Sequence, residues 1–160
     1  MNAPGIASTS ASPMDIKEFL SPSDTLIDVR TSDKTRLLQD LAHRAAATLH
    51  LPAERISAEI LKREEFGSTG TGGGVAIPHA RIQGLNKPFG ILVRLSKPIH
   101  FDAIDGRPVD LVFLLLLPAN PVGEQLTALA LVARKLRNAT SLHDLRSAIG
   151  TAELYDAMTR

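Results

Sequence analysis

The chain has 160 residues, with 18 Lys plus Arg against 17 Asp plus Glu, five His and no Cys. By length this is one domain, and the near-balanced charge leaves no bulk field to favour nucleic acid or an anionic membrane. The missing cysteines rule out disulfides, thiolate chemistry and Cys-based zinc sites, a composition that fits a reducing cytoplasm.

Residues 1–13 are rich in Ala, Ser, Pro and Gly, with neither a basic start nor an apolar stretch. They read as a disordered tail and not as a signal peptide, ahead of one domain over residues 14–160. A short helix is predicted over 15–20 and a first strand over 25–29. Ser32 is the expected cap of a helix running to residue 49, whose Leu37, Leu38, Leu41, Ala42, Ala45 and Leu49 follow the i, i+3, i+4 spacing of one buried face. Pro52 restarts the chain into a second helix over 53–63, with Ile56, Ile60 and Leu61 facing inward. A glycine-rich loop, a short strand over 75–77 and a strand over 89–95 follow. Residues 109–117 are apolar on both faces, as in a central strand covered on both sides. The longest fully apolar run, 111–117, is far too short to span a bilayer, so no membrane insertion is expected. The pattern ends in an amphipathic helix over 123–136, through Leu126, Leu129, Ala130, Ala133 and Leu136, and short helices over 141–149 and 151–158. Strands interleaved with helices in this order predict an α/β fold, a single domain with a mixed β-sheet flanked by helices on both faces.

Five of the eleven glycines fall between Gly67 and Gly74, and Val75-Ala76-Ile77-Pro78 then leads to His79. Glycines this dense suit backbone at positive φ or close approach to a small anion. Three phosphate or nucleophile motifs are nevertheless excluded. A P-loop needs Gly-Lys-[Ser/Thr], and no lysine lies between Lys62 and Lys87. The dinucleotide fingerprint fails at Val75 and has helix and strand in the wrong order. A Gly-x-Ser-x-Gly elbow is absent. The five histidines show no metal-ligand spacing, so no metal is expected, and His43, His50, His100 and His143 are assigned to the surface.

His79 reads in two ways: as a turn histidine satisfied by one backbone bond, or as a nucleophile. A neutral imidazole carries one N–H and one free lone pair, so a carbonyl that accepts the N–H leaves the other nitrogen as a fixed nucleophile. Arg63 is either a charge complementing a helix C-terminus or a planar guanidinium for a phosphoryl group spreading charge over three oxygens. Ser68 and Thr69 are turn formers or hydroxyl donors to the same group. Lys62, Arg63, Glu64 and Glu65 together read most simply as a solvated helix end.

The run Arg-Glu-x-x-Gly-Ser-Thr-Gly…Gly-x-Ala-Ile-Pro-His, carried by residues 63–79, closely resembles the bacterial phosphotransferase-system enzyme IIA of the fructose/mannitol type. The likeness continues through residues 101–113 and 129–136 and covers nearly all of residues 15–158. Within the family the chain is most similar to the stand-alone nitrogen-regulatory enzyme IIA, since no sugar-transporting B or C domain is attached.

The resemblance implies a cytoplasmic phosphocarrier without cofactor. His79 would become a phosphohistidine on Nε2, charged by a phosphorylated histidine-containing carrier protein of the nitrogen branch. It also implies that Arg63 lies near the site; in the transfer this suggests, Gly67, Ser68, Thr69 and Gly70 are the expected phosphate-binding residues, with Gln125 as a further candidate donor in the catalytic group. Targets in that branch include potassium-transport components and sensor kinases. The alternative is a sugar-transport component that passes phosphate to a B domain; a hydrolase using His79 as base lacks a positioned nucleophile. The family often carries a second histidine near the first, and here that position is Gln125, which donates a hydrogen bond but does not titrate near neutrality.

Overall fold

The computed structural model describes residues 14–120 and 124–160, the side chains of residues 124–126 excepted. After 3-10 turns at Ile16–Glu18 and Pro22–Asp24, the elements in chain order are β1 (Thr25–Val29), α1 (Lys34–Leu49), α2 (Ala53–Glu65), β2 (Gly70–Gly72), β3 (Val75–Ala76), β4 (His79–Ile82), β5 (Phe89–Ile99), β6 (Val109–Pro118), α3 (Glu124–Arg137), α4 (Ala139–Ser147) and α5 (Thr151–Thr159). No helix among the described residues is long and apolar enough to cross a membrane.

The six strands form one mixed sheet in the order β1-β5-β6-β3-β2, with β4 also paired to β6. β5 and β6 are antiparallel, whereas β1 runs parallel to β5, and β3 and β4 run parallel to β6. β6 is central because its alternate side chains feed two separate cores. Val112, Leu114 and Leu116 pack with α1 and α2 on one face. Leu111, Phe113, Leu115 and Leu117 pack with α3, α4 and α5 on the other. All seven are almost fully buried, as a strand apolar on both sides requires.

Several expected boundaries shift for identifiable reasons. The cap of α1 is Asp33, not Ser32: the Asp33 carboxylate accepts from the Arg36 amide at 2.8 Å. Asp33→Ala should therefore lower stability by about 1 kcal/mol in a denaturant titration, with Ser32→Ala close to neutral. β5 runs four residues beyond the expected end, to Ile99, and β4 is a strand over a stretch for which the sequence predicts no element. The buried stripe of α3 is Ala128, Val132 and Leu136, while the expected Ala130 is exposed. Residues 126–133 are apolar at nearly every position, so periodicity alone did not resolve which face turns inward.

Candidate functional site

His79 opens β4 and is only part-buried. Its backbone lies opposite Leu115 of β6, and the Leu115 amide donates to the Pro78 carbonyl at 2.9 Å. Ala80 and Ile82 point into the core under α1 and α2, so strand alternation turns His79 and Arg81 the other way. His79 thus stands where the end of α2 and the flank of α3 meet. There a cleft of about 440 Å³ is lined by Lys62, Arg63, Phe66, His79, Arg81 and Leu129, among others.

The His79 Nδ1 lies 2.8 Å from the Ile77 carbonyl oxygen. A carbonyl only accepts, so Nδ1 carries the proton and Nε2 keeps its lone pair. Burial pushes the imidazole below its ordinary value of 6.5; the hydrogen bond to Ile77 opposes this, Arg63 adds to the lowering and Glu64 opposes it. Neutral imidazole, the nucleophilic form, therefore persists to more acid pH than in an unperturbed histidine. In the window just below pH 6.5 the unfolded chain binds more protons than the folded one, so this residue makes stability fall on acidification. Arg63→Ala removes one lowering influence and should move the ring's midpoint upward in an NMR titration. An unmoved midpoint would place the guanidinium's field elsewhere.

Arg63, in the last turn of α2, folds over the loop and donates from Nη1 to the Gly67 carbonyl at 2.9 Å. The donors expected to receive phosphoryl oxygens have protein acceptors instead. The Gly67 amide donates to the Glu64 carbonyl at 3.1 Å. The Ser68 hydroxyl donates to the Phe101 carbonyl at 2.7 Å and accepts from the Gly70 amide at 3.0 Å. The Thr69 amide and hydroxyl both donate to the Glu64 carboxylate.

The glycines beyond them serve a β-hairpin whose tip points away from His79. Gly73 and Gly74 link antiparallel β2 and β3 with φ of 69° and 82°, as a two-residue turn with both centres left-handed demands. Arg146 clamps that tip, donating to the Gly73 carbonyl at 2.7 Å and to both oxygens of Asp110. Gly70 is glycine because an added Cβ would sit 2.8 Å from that of Ala103. The loop's composition is thus set largely by its own fold.

Glu64 departs from the solvated helix end expected of residues 62–65. Its side chain is 6% exposed and lies 2.8 Å from the Lys34 ammonium. No spacing within the loop signalled this pair, because Lys34 lies thirty residues upstream. The β4 alternation of Ala80 and Ile82 was the signal available for the edge strand that carries His79. Phe66, 82% exposed beside the cleft, was also not singled out. The side chain of Gln125 lies outside the described residues. His43, His50, His100 and His143 are all exposed. Among the described residues, no group of three His, Asp or Glu side chains gathers in a way that would hold a metal ion.

Over residues 18–160 the chain matches the family described as phosphoenolpyruvate-dependent sugar phosphotransferase system, EIIA 2. It is 40% identical over 147 residues to the nitrogen regulatory protein of Escherichia coli K12, covering 91% of this chain and 90% of that protein. It is 38% identical over 145 residues to the nitrogen regulatory protein of Bradyrhizobium diazoefficiens, covering 91% and 95%. The crystal structure of nitrogen regulatory protein IIA-Ntr from Neisseria meningitidis superposes with a TM-score of 0.85 at 34% identity, over 90% of this chain and 99% of that one. The protein therefore belongs to the EIIA type 2 family of the phosphotransferase system and is a homologue of its nitrogen-regulatory members.

Proposed function

We propose that His79 is the residue through which this phosphocarrier homologue accepts and releases a phosphoryl group, with Nε2 as the bonding atom. The observation that carries this reading is the 2.8 Å bond from Nδ1 to the Ile77 carbonyl, which leaves a lone pair only on Nε2. In the step itself the Nε2–P bond forms as the N–P bond of the donor's phosphohistidine breaks. The electron pair of the broken bond returns to the donor imidazole, which leaves neutral because its other nitrogen carries N–H as His79 Nδ1 does, so no proton need move in the displacement. Exchange between two like nitrogens is near thermoneutral and hence reversible. The protein's part is to position and to stabilise spread charge, which is what phosphoryl transfer asks of it.

Arg63 is the cation nearest in role, and the cleft it shares with Lys62 and Arg81 carries three cations against one carboxylate, that of Glu59. The loop donors, occupied within the protein, act by holding the backbone around His79. A histidine-containing carrier of the nitrogen branch is the proposed donor. Targets such as potassium-transport components or sensor kinases would read the added charge, which changes docking at a single site. The likeness to nitrogen regulatory proteins supports that choice of branch.

The test is to incubate the purified chain with phosphorylated carrier and map the label. An acid-labile, base-stable adduct on residue 79 is expected; a chain that stays unlabelled would overturn the reading.

A further inference from the structure

The loop before His79 is tied together by one unbroken line of hydrogen bonds that starts at a largely buried ion pair. Lys34 of α1 places its ammonium 2.8 Å from Glu64 Oε2, 3.3 Å from the Phe101 carbonyl oxygen and 4.6 Å from the centre of the Phe101 ring. Glu64 in turn accepts from the Thr69 amide at 3.1 Å and from the Thr69 hydroxyl. The Thr69 carbonyl accepts from the Ile77 amide at 3.0 Å. The Ile77 carbonyl then accepts from His79 Nδ1 at 2.8 Å.

We propose that Glu64, anchored by Lys34, is a positioning residue for His79, acting through Thr69 and Ile77 to hold the imidazole in the Nδ1–H tautomer. The proposal rests on the reading of His79 as the phosphoryl acceptor and adds the means by which its nucleophilic nitrogen is selected.

Three features set this line apart from ordinary loop packing. Glu64 is almost fully enclosed, and its two oxygens receive three donors from three different groups, so a carboxylate is needed where an amide with one oxygen would fall short. Thr69 is 4% exposed, and both its N–H and its hydroxyl are spent on this one carboxylate. Its carbonyl, in the next peptide unit, accepts from the Ile77 amide. Finally, the Phe101 carbonyl that accepts from Lys34 also accepts from Ser68 at 2.7 Å, which fixes the residue before Thr69 to the same anchor. The ring's tautomer thus follows from a carbonyl direction, and that direction follows from a carboxylate about fifteen residues earlier. The same carboxylate opposes Arg63 in the field at the ring, so its loss would touch His79 electrically as well as geometrically.

The decisive experiment reads the tautomer directly, from long-range ¹H–¹⁵N spectra of the full chain at a pH where His79 is neutral. Wild type should show only Nδ1–H. Glu64→Gln and Thr69→Val should each give mixed tautomers, while Thr69→Ser, which keeps the hydroxyl, should retain the wild-type signature. In parallel, transfer from a phosphorylated histidine carrier should lose roughly tenfold in kcat with little change in KM, the lower end of what losing an outer partner of a functional histidine costs. A folded Glu64→Gln or Thr69→Val that still shows Nδ1–H alone, or a wild type in the Nε2–H form, overturns the proposal. Should Glu64→Gln fail to fold, Thr69→Val, a near-isosteric change, decides alone. The tautomer measurement needs no phosphoryl transfer. A wild type that never takes up label but whose tautomer responds to these substitutions would therefore refute the acceptor reading and leave the positioning line standing.

Discussion

His79→Gln should abolish phosphoryl uptake from a charged carrier while leaving the fold in place. The glutamine amide has no lone pair of comparable nucleophilicity, since its nitrogen is conjugated with the carbonyl. The ring it replaces is part-buried at the start of an edge strand, so the substitution removes little packing. The register of β4 depends on backbone bonds, including that from the Leu115 amide to the Pro78 carbonyl, and these survive. Loss of label with an unchanged amide spectrum therefore separates chemistry from stability. Arg63→Ala should behave differently, slowing transfer by about 10²-fold without preventing it, because a donor to developing negative charge contributes to the barrier and not to the bond. Label recovered on the His79→Gln chain would mean that another residue carries the phosphoryl group. Equal rates for Arg63→Ala and wild type would remove the guanidinium from the transfer step.

Gly90→Ala is expected to be among the most destabilising single changes available to this chain, at roughly 3 kcal/mol or more, the upper end of what overpacking costs. An added Cβ would lie 2.6 and 2.7 Å from two ring atoms of Phe113 and 3.3 Å from the Phe19 carbonyl oxygen. The Phe113 ring has no room to yield. It is fully buried, and it meets Phe19 edge-on at a centroid distance of 6.2 Å. Phe19 is fixed in turn, because its carbonyl accepts from the Gly90 amide at 2.7 Å.

A smaller side chain opposite should relieve the clash, so Phe113→Leu combined with Gly90→Ala should cost less than the sum of the two. Denaturant midpoints for the four chains measure that coupling, and simple additivity would show that the contact is not the cause. The position also bears on function. Gly90 pairs with Leu115 of β6, and Leu115 pairs with His79 of β4, so a distortion at Gly90 reaches the candidate site through one intervening strand.

Those two predictions draw on different kinds of knowledge. The family motif from Arg63 to His79 singles out the imidazole, and any reader of the chain can find it. Nothing near Gly90 in sequence announces that a phenylalanine more than twenty residues on will lie across it. The same division runs through the whole molecule. The stripe of Leu37, Leu38, Leu41, Ala42 and Ala45, and the continuous apolar run of β6, were legible because helix and strand periodicities are properties of neighbouring residues. The place of Arg63 beside the loop was legible too, since the Gly67 carbonyl it bonds is only four positions further along the chain.

The chain's own order of residues thus determined the family, the layered α/β architecture, the two-sided central strand and the histidine that stands after the glycines. Tertiary structure alone decided what the loop's donors are for. Glu64 looked like one charge in a solvated cluster, yet Lys34 and Thr69 enclose it, and a carboxylate removed from water holds its partners in place. It likewise decided that Gly73 and Gly74 turn a hairpin clamped by Arg146, and that the Ile77 carbonyl selects which nitrogen of His79 is free. Local patterns report local bonds; a hydrogen bond or ion pair between distant segments exists only once folding has brought them together.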